Sequence, residues 1–268
     1  MALAGATRAG VGRAMLNVIE TGEAGDAPLL IAHGLFGSAR NWGVIAKRLA
    51  ARGRRVVACD MRNHGQSDWF DTHDYPAMAA DLSQLIPDGA AWDVMGHSMG
   101  GKAAMVLALT RPDAVRRLIV ADIAPVAYGH TQIHNIDAMR RVPLATVENR
   151  TEASKALALD DPSTEAFLLQ SLDMGARRWR LNLDVLERDM PKILGWPDTG
   201  DATFEGPTLF LSGGASDYVL PEHRPAIKRL FPNARFAKIP GAAHWLHAEK
   251  PREFEAAVAA FLDAERSG

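Results

Sequence analysis

Residues 91–111 read A-W-D-V-M-G-H-S-M-G-G-K-A-A-M-V-L-A-L-T-R. The apolar run Trp92 to Met95 reads as a buried strand, and Ala103 to Leu109 as a helix of strong helix formers. Between them the chain turns through small residues, with Ser98 on the turn and Gly96 and Gly100 on either side. A serine in a strand-turn-helix of the form G-x-S-x-G has its hydroxyl held clear of its own backbone, and its neighbours must be small so that helix and strand can pass closely. The amide of Met99 then opens a helix N-terminus, where developing negative charge is stabilised. A second reading competes. Gly96 to Lys102 also spells G-x-x-x-x-G-K, the frame of a phosphate loop. That loop needs Ser or Thr after the lysine to hold Mg²⁺, and position 103 is Ala. The nucleophile reading is preferred on that ground. A lone G-x-S-x-G is weak evidence, so the flanking sequence must carry the case.

Composition narrows the field. A chain of 268 residues, 47% hydrophobic, is long enough for one α/β domain with a sizeable insertion. A net charge of −2 and a pI near 6.5 leave no nucleic-acid or membrane-surface footprint. The single Cys59, in an apolar run, excludes an internal disulfide and a cysteine-rich metal site. There is no HExxH, no CxxC and no run long enough to span a bilayer. Residues 1–14 are Ala/Gly-rich and lack the apolar block of a secretory signal; they read as a disordered lead, with an organelle presequence as the other reading. A cytoplasmic location is expected.

Outward from the turn, strands alternate with helices. Leu16 to Ile19, Leu29 to Ala32, Arg54 to Asp60, Leu118 to Ala121, Thr208 to Leu211 and Ala234 to Ile239 read as strands. Asn41 to Ala51, Tyr75 to Ile86, Glu222 to Phe231 and Pro251 to Leu262 read as helices. This rhythm builds a parallel sheet with both faces covered. It fails between 125 and 205, where no strand is evident. There the text is helical over Ile133 to Arg141, Glu152 to Leu159, Ser163 to Leu172 and Leu181 to Ile193. The expected organisation is a core domain of 15–124 and 206–268, with a helical cap of 125–205 inserted into it. Trp179 is a candidate for the roof of a pocket. Acidic residues outnumber basic ones in the cap, which argues against a highly anionic substrate.

Further stretches end strands. His33-Gly34-Leu35-Phe36-Gly37 needs a sharply bent backbone with exposed amides. The N–H of Leu35 or Phe36, with that of Met99, is suited to an oxyanion. His33 reads as a loop-stabilising residue rather than a proton carrier, and Phe36 as lining the acyl pocket. His64 and Ser67, in a turn-rich loop, also read as loop structure. Asp122 and Asp217 each stand at a later strand exit, and His244 follows the last strand in P-G-A-A-H-W. His247 lies past Trp245, a further pocket candidate, and is less well placed. Parallel strands present their C-terminal ends to one edge, and Ser…Asp…His is the order this architecture imposes. His244 would take the Ser98 proton and return it to the leaving group, while a carboxylate fixes the imidazole tautomer. Placement alone leaves Asp122 and Asp217 both open.

The stretches H-G-L-F-G-S, D-M-R-N-H-G, G-H-S-M-G-G-K, D-I-A-P-V and G-x-x-H-W-x-H-A-E-K-P carry a resemblance. From about Leu16 onward the chain resembles the α/β-hydrolase fold serine hydrolases, and within them the YbfF-type bacterial esterases and their mitochondrial relatives. The resemblance implies a mostly parallel eight-stranded sheet with helices on both faces and an inserted helical cap. It implies carboxylic ester hydrolysis through a covalent acyl-serine at Ser98, without metal or cofactor, on a small-molecule ester or thioester. Generic members carry the acid in the position of Asp217; the YbfF-like branch carries it in the position of Asp122, which the closer match favours, with Asp217 the alternative. The bulk of Phe36 and the tryptophans points to short to medium acyl groups. An acyl-CoA thioesterase, a lactonase or a C–C hydrolase would use the same triad. A haloalkane dehalogenase would need Asp where Ser98 stands, and a catalytically silent binding protein would not need an intact Ser98 and His244.

Overall fold

Side chains of successive residues in a strand point to opposite faces, and the central strands here are buried at nearly every position. Both faces must therefore be covered, and the computed structural model, which describes residues 15–23 and 27–264, shows how. The first part of the chain runs β1 (Val18–Thr21), β2 (Leu29–Ala32), α1 (Gly43–Ala50), β3 (Val56–Cys59), α2 (Tyr75–Leu85), β4 (Trp92–His97), α3 (Met99–Thr110) and β5 (Val115–Ala121). A helix-rich stretch follows: α4 (Ile133–Arg141), α5 (Arg150–Leu157), α6 (Pro162–Leu169), the short pair β6 (Leu172–Asp173) and β7 (Arg178–Trp179), α7 (Leu183–Arg188) and α8 (Met190–Leu194). The chain closes with β8 (Thr208–Gly213), α9 (Arg224–Leu230), β9 (Ala234–Ile239), α10 (Leu246–Glu249) and α11 (Pro251–Ala264).

The main sheet has seven strands in the order β1-β3-β2-β4-β5-β8-β9. β1 runs antiparallel to β3, and all other neighbours are parallel. These seven are the strands legible in the sequence; the eighth expected from the family pattern is not among the described residues. Leu30, Val57, Val94, Val120 and Phe210 belong to one apolar core, with residues of α2 and α3. Leu29, Ile31, Val56, Met95, Ile119 and Leu211 belong to a second, with residues of α1 and α11. At the opposite edge from the strand exits, the fully buried Asp93 carboxylate binds Arg117 at 2.8 and 3.0 Å and Arg116 at 2.8 and 3.0 Å.

The stretch between β5 and β8 is helical, as expected, with two local differences. β6 and β7 form a two-stranded antiparallel hairpin of two residues each, too short to leave an alternation signal. The helix expected over Leu181 to Ile193 is two helices, parted at Asp189. Pro191 opens α8 and cannot donate the hydrogen bond a continuous helix would require, and the Asp189 carboxylate instead accepts the His73 N–H at 2.8 Å. Among the described residues no helix is long and apolar enough to cross a membrane. The expected lead at 1–14 lies outside the described residues.

Candidate active site

β4 delivers Ser98 to the sheet edge, and α3 begins at the next residue. Ser98 adopts φ +51° and ψ −120°, a conformation an L-residue holds only when its surroundings impose it. Two glycines make that possible. A Cβ on Gly96 would stand 2.1 Å from the Gly100 carbonyl oxygen, and one on Gly100 would stand 2.3 Å from that of Ala32. The Ser98 N–H is tied to the Ala121 carbonyl at 3.0 Å, and the Ser98 carbonyl accepts the Lys102 N–H at 3.1 Å.

His244 enters from the loop after β9. Its Nε2 lies 3.0 Å from Ser98 Oγ, and its Nδ1 lies 2.7 Å from Asp122 Oδ2. Asp122 follows β5 directly, is fully buried, and has φ +52°. Its carboxylate also accepts the Gly213 N–H at 3.0 Å and the Ser216 hydroxyl at 2.6 Å. A carboxylate receiving three hydrogen bonds is held as an acceptor, so His244 Nδ1 carries a proton and Nε2 presents its lone pair to the serine hydroxyl. The geometry thus joins Ser98, His244 and Asp122. It does not bring in Asp217, which is exposed and makes no hydrogen bond to the imidazole.

The candidate oxyanion donors divide. Phe36, at φ +63°, directs its N–H to His64 Nε2 at 3.2 Å, so that amide is already engaged. His64 is fixed as the acceptor because its Nδ1 donates to the Arg62 carbonyl at 2.9 Å. The amides of Leu35 and Met99 remain, the latter at the start of α3, and both residues line the same cavity as Ser98. His33 behaves as loop structure: Nδ1 bonds the Gly34 carbonyl at 2.8 Å and Nε2 accepts the Met61 N–H at 2.9 Å. Burial holds His33, His64 and His97 below the ordinary histidine value, and pushes His247 down to about 3. These rings are neutral fixtures around the one imidazole that meets the serine.

A cavity of about 880 Å³ opens over Ser98 and His244 and is walled by both the sheet edge and the helix-rich stretch, with Phe36, Tyr128, Phe167 and Trp245 on its surface. Trp179 does not line it. Its indole N–H is spent on the Met139 carbonyl at 2.9 Å, inside the packing between β7 and α4, which corrects its expected place in the pocket.

The model of the alpha/beta hydrolase fold family matches residues 27–251. The chain belongs to the α/β hydrolase fold family. Its relatives within the fold include a mouse protein named sn-1-specific diacylglycerol lipase ABHD11, 43% identical over 89% of this chain and 82% of that one. Another is esterase YbfF of Escherichia coli, 37% identical over 89% of this chain and 94% of that one. A solved marine microorganism esterase superimposes with a TM-score of 0.87 at 36% identity, covering 92% of this chain and 99% of that one.

Within this α/β hydrolase several residues of the site were not singled out by the sequence. Tyr218 stacks on the His244 ring at 3.8 Å and 19°. Its hydroxyl meets His130 Nε2 at 2.7 Å, across to the helix-rich stretch. His97, inside G-H-S-M-G, donates from Nε2 to the His244 carbonyl at 2.8 Å and so holds the histidine loop against the nucleophile turn. Ser216 steadies the acid. The position of Tyr218 and Ser216 on either side of Asp217, in a strand-exit loop, was the only available pointer to them.

Proposed function

We propose that this α/β hydrolase cleaves carboxylic esters of short to medium acyl chain length through an acyl-serine at Ser98. In this reading Ser98 Oγ attacks the ester carbonyl carbon and its proton passes to His244 Nε2. The carbonyl oxygen becomes an oxyanion between the amides of Leu35 and Met99. Collapse of the intermediate breaks the C–O bond, and the imidazolium gives its proton to the departing alcohol. Water, deprotonated by the same imidazole, then releases the acid. Asp122 holds the tautomer throughout and stabilises the charged ring. The helix-rich stretch serves as the cap of the pocket.

The observation that carries the reading is the continuous hydrogen-bond path from Asp122 through His244 to Ser98 at the floor of the cavity. The kinship with proteins named as esterases and a lipase supports the same bond type. Aromatic walls at Phe36, Phe167 and Trp245 support the limit on acyl length. The test is a fluorophosphonate label followed by a p-nitrophenyl ester series beside acyl-CoA. Labelling of the folded protein that is lost in Ser98→Ala, with an optimum at short to medium chains, is the expected result. Absence of labelling would favour a silent binding protein, and faster turnover of acyl-CoA would favour a thioesterase.

A further inference from the structure

Lys102 stands four residues after Ser98 on α3 and lines the same cavity, yet it is only 1% exposed. Residues four apart share a helix face, here about 6 Å apart along the axis, and helical side chains lean toward the N-terminus, which is the Ser98 end. The ammonium donates to the carbonyls of Leu194 at 3.0 Å and Gly195 at 2.5 Å. It lies over the rings of Tyr128 and Tyr75, 4.8 and 5.5 Å from their centroids. Burial raises both phenols, so the rings are neutral. Two of the three ammonium protons are thus placed, and among the described residues no carboxylate pairs with the charge.

The two carbonyls end α8, so the contact ties the cap to the nucleophile helix. A neutral donor such as glutamine would make that tie without the cost of burying a charge. Beyond these carbonyls and ring faces the charge has no counter-ion among the described residues, and water exclusion strengthens its attraction for an anion that enters the cavity. We infer that Lys102 is an anion subsite, and that the preferred substrates are esters bearing one carboxylate about one helical turn from the scissile carbonyl. This rests on ester hydrolysis at Ser98. The acidic Asp161 and Glu249 on the same cavity wall oppose further negative charge, so one carboxylate suits the site and several do not.

The experiment compares two p-nitrophenyl esters of equal shape, the hemiglutarate and its uncharged isostere the 5-methylhexanoate, as a ratio of kcat/KM after subtraction of the uncatalysed rates. The wild type should favour the hemiglutarate by about tenfold or more at pH 6.5, the scale of one charge-assisted hydrogen bond. Lys102→Met should bring the ratio to one or below. Burial lowers Lys102 to about 7, so the wild-type ratio should fall between pH 6.5 and 9, even if the variant fails to fold. Any change in the Ser98–His244 chemistry acts on both esters and cancels in the ratio. Of the other ionisable groups on the cavity, burial holds the rings of His33, His97 and His247 neutral and pushes the phenols of Tyr75, Tyr128 and Tyr218 up, which leaves Arg40, His130, Asp161 and Glu249; a His130→Gln variant should keep the profile. A wild-type ratio near or below one at pH 6.5, a ratio flat with pH, or a ratio retained in Lys102→Met overturns the subsite while leaving ester hydrolysis standing. Inactivity on both esters overturns both.

Discussion

Replacing Asp122 by asparagine changes one atom and should reverse the polarity of the whole relay. The Gly213 N–H can still bond the asparagine carbonyl oxygen at the place of Oδ1, which it meets at 3.0 Å. The amide nitrogen then occupies the place of Oδ2, facing His244 Nδ1 at 2.7 Å and the Ser216 hydroxyl at 2.6 Å. A donor at that place requires an acceptor at Nδ1. The imidazole must shift its proton to Nε2, which now points a donor at Ser98 and cannot accept the serine proton. The partly buried imidazolium also loses the one carboxylate bound to it among the described residues. Turnover should slow by a factor of about 10²–10⁴, equivalent to about 2.7–5.5 kcal/mol of barrier. Asp217→Asn, at an exposed position away from the imidazole, should change kcat by less than about threefold. Hydrolysis of p-nitrophenyl butyrate by the two variants, with thermal unfolding to verify that both are folded, decides the matter. Equal small losses, or a larger loss at Asp217, would refute the assignment of a single acid after β5.

Tyr218→Leu removes the ring stacked at 3.8 Å on His244 and should lower kcat about two- to tenfold with KM for a neutral ester little changed; an unaltered kcat would deny the ring a positioning role. Asp93→Ala strands Arg117, itself 3% exposed, and should cost about 3–5 kcal/mol in a denaturant titration, where a loss under about 1 kcal/mol would mean that the ion cluster is inert. Stability should also fall in acid. Burial lowers His73 and His247 to about 3, so the folded state resists a proton that the unfolded chain takes up below about 6.5. Their contribution is complete above pH 6.5 and is lost as the pH falls toward 3, at about 2 kcal/mol per histidine between pH 7 and 5. A melting temperature flat from pH 7.5 to 5 would contradict this.

What could be read in advance followed from local rules. The strands announced themselves because the inner ones are mostly apolar runs bounded by turn residues, and Ser98 because Gly96 and Gly100 leave no room for a side chain. His244 followed from strand order. The choice between Asp122 and Asp217 was open to placement alone, because both stand at strand exits near the histidine; it turns on which loop backbone bends through φ +52°, a conformation nothing in D-I-A-P-V spells out. Trp179 was misplaced because a large apolar residue on a helix-rich stretch packs inward as readily as toward a pocket, and its N–H found the Met139 carbonyl. Phe36 kept its side chain on the cavity and lost its amide to His64, a partner 28 residues away that no local pattern connects to it.

Ser98 and Asp122 leave adjacent strands whose ladder pairs His97 with Ala121, one residue before each of them. Two of the three groups are therefore set side by side by the most buried part of the sheet, and only the imidazole must be brought in from afar. A loop after β8 that does not carry the acid is free to diverge in length and composition, provided it keeps a hydroxyl to steady Asp122 and a ring to back the imidazole. Transplanting this chemistry to another scaffold would then be a matter of copying one strand pair and recruiting a single ring.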